Sequence, residues 1–161
     1  MKFFRSEQGF SFIELAVSLA ILAILLAVAY PSYSAWRQNA GYKQAARELA
    51  LIMRDARSRA ISTNLEHRVS IEVNNARYRM ERGNLAYNSS AWPVNFGWIS
   101  LPGETLLQSG AACDQNSNVV ATFFPNGSSD SQPVVCVMAE GGNVKFKVMV
   151  GSQSSGRVVI E

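Results

Sequence analysis

The chain has little of what catalytic and metal sites usually need. Its 161 residues include one histidine, His67, and two cysteines, Cys113 and Cys136. A histidine-rich metal site is excluded, no Cys-x-x-Cys pair exists, and a Ser-His-Asp triad would depend on His67 alone. Gly-x-Ser-x-Gly and phosphate-loop motifs are also absent. These absences argue against an enzyme and imply no cofactor. Charge is missing in one place above all. From Leu15 to Trp36 no charged residue occurs over 22 positions. A helix needs roughly 20 apolar residues to cross a bilayer core, so this run is long enough.

Two features separate the run from a plain anchor. Glu14 sits near its start, and a Gly9-Phe10 junction precedes it behind the short leader Met1 to Gly9, which carries Lys2 and Arg5. A carboxylate at membrane depth costs at least ~2.5 kcal/mol on insertion scales, so it needs a partner. A cut between Gly9 and Phe10 would create one, because Phe10 would then carry a free amine. A bonded pair of opposite charges is cheaper in hydrocarbon than a lone charge. The amine and Glu14 lie about one turn apart, so the pair could form within a chain or between neighbours. Lys2 and Arg5 favour a cytoplasmic N-terminus. A secretory signal would lose its apolar core on cleavage, whereas here that core stays in the product.

Gly9-Phe10-Ser11-Phe12-Ile13-Glu14, followed by the apolar run and Pro31, resembles the type IV prepilin signature. The resemblance implies that prepilin peptidase cuts between Gly9 and Phe10 and methylates the new amine of Phe10. It places Glu14 at the fifth mature position, where pilins carry the glutamate used in filament assembly. The expected location is the bacterial inner membrane, single-pass, with a cytoplasmic leader and a periplasmic C-terminal domain, and later the filament.

Both cysteines fall in the exported part, where oxidation is possible. A Cys113–Cys136 bridge would close a loop of 23 residues and contribute ~3 kcal/mol in the loop-entropy picture. Two buried free thiols are the alternative.

Beyond Pro31, which is expected to kink the helix, the apolar period remains helical. Tyr42, Ala45, Ala46, Leu49, Ile52, Met53, Ala56 and Ala60 recur at three- and four-residue spacing, a core-facing stripe. Near Ser62 the helix is expected to end and the period changes to two. His67–Val73 and Ala76–Glu81 read as a hairpin around Asn74-Asn75. Gly83 to Trp98 reads as a loop, and 109–117 as another. Short strands are expected over 98–101, 105–107, 119–124, 132–138, 144–150 and 157–160. In Val144 to Val150, Val144, Phe146, Val148 and Val150 are expected to face inward. The organisation is a leader over 1–9, a transmembrane helix over 10–30, its amphipathic continuation over 31–62, and a β-rich periplasmic domain over 63–161. One long helix followed by six or seven strands predicts an α+β fold, the helix packed on antiparallel sheet.

Ala56-Arg57-Ser58-Arg59-Ala60-Ile61, Thr122-Phe123-Phe124-Pro125-Asn126-Gly127 and Gly156-Arg157-Val158 resemble, in that order, segments of the GspH/FimT/FimU group. This group contains minor pilins and the H pseudopilin of type II secretion. The resemblance implies a pilin-like fold with two small sheets on the helix. It implies a low-copy subunit that primes or caps a type IV pilus, or alternatively a pseudopilus. The partners would be prepilin peptidase, sister minor pilins or pseudopilins, and the major subunit.

Charge adds a third reading. Arg37 to Arg82 holds 10 basic and 5 acidic residues. FimT-type relatives resemble DNA-uptake pilins, whose C-terminal Gly-Arg-x-Arg segment contacts DNA. Here Gly156-Arg157-Val158-Val159 keeps the first arginine and lacks the second. Arg157, Lys43, Arg47, Arg54 and Arg57 are the candidate phosphate contacts. A solvated helix face is the preferred reading of the last four. Trp92, Phe96 and Trp98 are candidates for an interaction surface or for core.

Overall fold

The computed structural model describes residues 11–102 and 105–161. Helix α1 runs from Phe12 to Thr63, one residue past the expected end, and its helical backbone continues through position 31. The chain divides into two units, Met1–Gln38 and Asn39–Glu161.

In the first unit, Phe12–Tyr30 has a mean hydropathy of 2.7, and its side chains are exposed. Alanine and leucine, the strongest helix formers, dominate here, and no glycine or proline interrupts the segment. Bare apolar side chains all round suit hydrocarbon rather than water.

In the second unit, α1 buries Tyr42, Ala45, Ala46, Leu49, Met53, Ala56 and Ala60. Ile52 was expected among them but is only partly buried, because it lies at the margin of the stripe. With Ala50, also buried, five alanines along that face let the sheets approach the helix backbone closely. Nine strands follow among the described residues: β1 (His67–Glu72), β2 (Arg77–Arg82), β3 (Val94–Asn95), β4 (Ile99–Ser100), β5 (Leu106–Ser109), β6 (Val119–Phe123), β7 (Val134–Met138), β8 (Val144–Ser152) and β9 (Arg157–Ile160). They form two antiparallel sheets. The first has the order β3-β2-β1-β6, with β4 also on β2, and the second the order β5-β7-β8-β9. Val69, Ile71, Ala121 and Phe123 from the first sheet join Val135, Val137, Val148, Val150 and Val158 from the second. With the helix stripe they make one core cluster. The α+β, helix-on-sheet expectation therefore holds.

Three local expectations need correction. Val94–Asn95 was read as loop but is a strand, because Val94 and Asn95 pair with Arg82 and Glu81. Ser109 ends β5 instead of opening a loop, held by its pairing with Val135. Val144 is exposed although Val148 and Val150 are buried, because the β7–β8 register shifts at Val137/Met138 and ends the regular alternation.

Each sheet edge is either short or partly bonded. β3 and β4 have only two residues each. On β6, the Thr122 carbonyl accepts from the Asp130 N–H at 3.0 Å, and the Thr122 N–H donates to Asp130 Oδ1 at 3.1 Å. On β5, Ser109 and Gln115 exchange backbone hydrogen bonds of 2.7 and 3.2 Å. On β9, the Val158 carbonyl accepts from Arg54 Nη2 at 3.2 Å.

Candidate functional site

The N-terminal site begins with Gly9 and Phe10, which lie outside the described residues. Glu14 stands in the first turn of α1, exposed among apolar side chains. An acid in that turn is favoured by the helix dipole. The Ser18 hydroxyl donates to the Glu14 carbonyl at 2.7 Å, so its proton is used within its own helix. Ala16, Ala20, Ala23 and Ala27 follow four-, three- and four-residue spacing and share one side of the helix. Ala29 falls elsewhere. Small residues on one stripe let a neighbouring helix approach closely.

The basic candidates in the second unit divide into two kinds. Lys43 and Arg47 are exposed. Arg54 and Arg57 instead reach across to the strands. Arg57 Nε donates to the Gly127 carbonyl at 2.9 Å, while Arg54 holds Val158. Gly127 and Gly156 meet at this corner, both with positive φ (81° and 56°). A Cβ on Gly156 would lie 2.2 Å from the Gly127 carbonyl oxygen and 3.2 Å from Arg57 Nε. The Phe-x-Pro-x-Gly turn, the Gly-Arg turn and the end of α1 thus form one junction. Arg157 lies exposed beside it. The structure brings Arg54, Arg57 and the Arg157 turn together, and does so mainly by spending guanidinium donors on backbone carbonyls.

Cys113 and Cys136 form a disulfide. With Met138 and Val134 they make a small second cluster. The bridge ties the 110–117 segment to β7.

The aromatic residues of the 84–100 segment have an unexpected place. Trp92 and Trp98 stack on arginines of the β1–β2 pair, Phe96 lies under an arginine of α1, and Tyr87 stacks on Phe124. Arg68 lies 4.0 Å from the Trp92 ring centroid, and Arg77 and Arg79 lie 4.7 and 4.6 Å from that of Trp98. Arg59 stands 5.4 Å from the Phe96 ring. Cross-strand register supplies the rest: Arg68 faces Glu81, Ser70 faces Arg79, and Glu72 faces Arg77. Glu81, almost fully buried, accepts from Arg68 Nε at 2.7 Å and the Ser70 hydroxyl at 3.0 Å, with Arg79 at 3.2 Å. Burial raises the pKa of Glu81, but these hydrogen bonds and the charges of Arg68 and Arg79 outweigh it and hold the carboxyl below its ordinary range. Alternating arginines on β2 and indoles in the next loop were the available sequence signal.

His67 is buried, its Nδ1–H donating to the Leu65 carbonyl at 3.2 Å. Burial pushes its pKa below the ordinary 6.5. The Leu65 bond opposes that, and the charges of Arg82 and Arg59 add to it.

Between α1 and β2 runs a groove of about 280 Å3 lined by Glu48, Leu51, Ile52, Asp55 and Tyr78. The Tyr78 hydroxyl donates to Glu48 Oε1 at 2.7 Å. Burial, then this bond and the Glu48 charge, raise the Tyr78 pKa well above its ordinary value. Asp55 pairs with Arg59 at 2.8 Å. Leu51 is 67% exposed, so a large apolar side chain stands in water at the groove wall. Among the described residues no three His, Cys, Asp or Glu side chains converge as a metal site would require.

Residues 4–30 match the family model of the prokaryotic N-terminal methylation motif. No curated protein sequence matches the chain. Among solved structures the chain is similar to the type IV minor pilin FimU of Pseudomonas aeruginosa. The TM-score is 0.51 and the identity 16%, over 74% of this chain and 87% of that one. It is also similar to the minor pseudopilin EpsH of the type 2 secretion system of Vibrio cholerae. One EpsH structure gives a TM-score of 0.55 at 12% identity over 74% of this chain and 94% of the other. A second gives 0.56 at 11% identity over 76% and 97%. The chain has the fold of these proteins, a pilin-like α+β fold behind an N-terminal methylation motif.

Proposed function

We propose that this chain is a minor pilin, a low-copy structural subunit that primes or caps a type IV pilus. The carrying observation is a methylation motif over residues 4–30 joined to an apolar helical segment whose described side chains are exposed. An exposed apolar helix behind a methylation motif suits assembly into a bundle of like helices. Cleavage after Gly9 by prepilin peptidase frees the amine of Phe10, which is then methylated. While the subunit waits in the inner membrane, Glu14 is poorly paired. In the filament the amine of a neighbour satisfies it, and packing along the alanine stripe replaces contact with lipid. The partners are other pilins and the major subunit, and the role is structural rather than catalytic.

Mass spectrometry of the protein from its native envelope should find methylated Phe10 as the first residue. A Glu14→Ala chain should insert and fold normally, yet fall at least about tenfold in sheared filaments, as loss of one membrane-depth ion pair predicts. Normal incorporation of that variant would remove the pairing mechanism.

A second reading, a pseudopilin of type II secretion, draws on the TM-scores to EpsH. Deleting the chain separates the two: loss of surface pili favours the first, and loss of protein secretion favours the second. DNA binding is the weaker third reading, because Arg54 and Arg57 are engaged with Val158 and Gly127.

A further inference from the structure

At the C-terminal end of the apolar span, one face of the helix changes its chemistry. Leu26, Tyr30, Tyr33 and Arg37 follow four-, three- and four-residue spacing and share a stripe, with Ala29 beside it. The small Ala29 leaves an apolar hollow of about 420 Å3 between Leu26, Tyr30 and Tyr33. Trp36 flanks the stripe, its ring centroid 6.1 Å from that of Tyr33. All three aromatic side chains are exposed, as is Arg37. The nearest acidic residues along the chain are Glu14 and Glu48, so no carboxylate within two helical turns answers Arg37.

Depth orders these groups. The 19 residues of Phe12–Tyr30 span about 28 Å, close to the ~30 Å of a hydrocarbon core. Tyr30 then sits at the hydrocarbon boundary, with Tyr33 about 4.5 Å and Arg37 about 10.5 Å beyond it. Helical side chains lean toward the N-terminus, which here is back toward the bilayer. The Tyr33 hydroxyl and the Arg37 guanidinium are thus carried to the level of lipid phosphates, while Leu26 and the hollow stay among acyl chains.

We propose that this stripe is a phospholipid site, in the leaflet on the C-terminal side of the span, with a preference for an anionic headgroup. One acyl chain lies in the hollow over Ala29, and the phosphate of the same lipid accepts from the Tyr33 hydroxyl and from Arg37. The chain gains close contact with Leu26 and the two tyrosine rings. The cation favours a negatively charged headgroup. Trp36 keeps its ring among lipid and its N–H toward water, as indoles do at this level. A plain aromatic belt takes any headgroup; a cation above a hollow on the same stripe makes a choice among them. The stripe lies roughly a quarter-turn around the helix from Ala16, Ala20, Ala23 and Ala27, so the lipid and a neighbouring helix do not compete. The inference needs only that the span lies in a bilayer, and it goes beyond the choice between pilus and pseudopilus.

The test uses the full chain in phosphatidylcholine vesicles that also carry brominated phosphatidylglycerol or brominated phosphatidylcholine, with the bromines near the top of the acyl chain. Bromine quenches tryptophan emission on contact, and Trp36→Phe supplies the background from Trp92 and Trp98. Trp36 should be half quenched at about a fivefold smaller fraction of the anionic lipid than of the zwitterionic one, as one cation at an anionic surface predicts at low salt. Arg37→Gln should abolish that preference, and Arg37→Lys should keep most of it. Ala29→Leu fills the hollow with a strong helix former; it should weaken quenching by both lipids at unchanged helix content in circular dichroism. Inorganic phosphate at constant ionic strength should displace nothing. Equal quenching by the two lipids, a preference that survives Arg37→Gln, no effect of Ala29→Leu, or displacement by phosphate would each overturn the proposal. Resistance to carbonate extraction from native membranes tests the anchor separately: a chain that resists extraction but shows no lipid preference loses this inference alone.

Discussion

Gly156 shows how much can depend on a missing side chain. Its φ of 56° lies in the left-handed region, and the nearest obstacle to a Cβ is a backbone oxygen that no rotamer change can move. Gly156→Ala should therefore destabilise the second unit by about 2–4 kcal/mol, combining backbone strain with a clash. Gly141→Ala, also at positive φ but with nothing within 4 Å of the new atom, should cost only the strain, about 1–2 kcal/mol. Thermal unfolding of the detergent-solubilised chains, followed by circular dichroism, checks both. The two turn glycines were readable as parts of family-like segments. Their physical reason was not, because Arg57 reaches Gly127 from 70 residues away. The same holds for Arg54 and Arg57, whose helical spacing suggested a solvated face. Spacing cannot show that a turn will fold back to use their donors.

Among elements, β2 is the one whose neighbours on both sides depend on it. Its Arg77, Arg79 and Glu81 hold Trp98, Glu72 and Arg68 along the outward side of the first sheet. Removing the central acid leaves two arginines facing each other with no anion. Glu81→Ala should cost about 2–4 kcal/mol, as expected when one partner of a largely buried pair is deleted. It should also shift tryptophan emission to longer wavelength, because Arg68 over Trp92 and Arg79 over Trp98 lose the carboxylate that anchors them, while Arg77 stays held by Glu72. Unchanged emission would mean that the indoles are held by something else. The β1–β2 hairpin was legible, since His67 to Val73 alternates and Asn74-Asn75 marks the turn. β3 was not. Val94 and Asn95, between Pro93 and Gly97, are too few to show a period, and only pairing with β2 makes them a strand. The helix was the clearest element of all, its Ala/Leu/Met stripe running from Tyr42 to Ala60 as expected.

For the molecule as a whole, stability should follow pH through two buried groups. His67 binds a proton less readily folded than unfolded, so the unfolded chain gains protons first as pH falls below the ordinary 6.5. Stability is therefore expected to fall from pH 7 toward pH 5. Glu81 has the opposite chemistry and the same sign. Its depressed pKa stabilises the fold above the ordinary 4.5, and that contribution is lost at lower pH as the carboxyl protonates. The melting temperature should thus drop in two stages, and His67→Gln should flatten the upper one while leaving the lower. A single drop below pH 4.5 in the parent chain would show that His67 carries no such penalty. At this scale the sequence was most explicit where it was least polar. The uncharged run from Leu15 to Trp36 and the lone Glu14 announced a helix awaiting company, whereas the sheets' mutual arrangement emerged only from contacts distant along the chain. Those sheets carry one more consequence. With the described rims bonded in part by Asp130, Gln115 and Arg54, or only two residues long, a crowded pool of such subunits presents only brief stretches of open backbone, which disfavours strand-on-strand addition between copies.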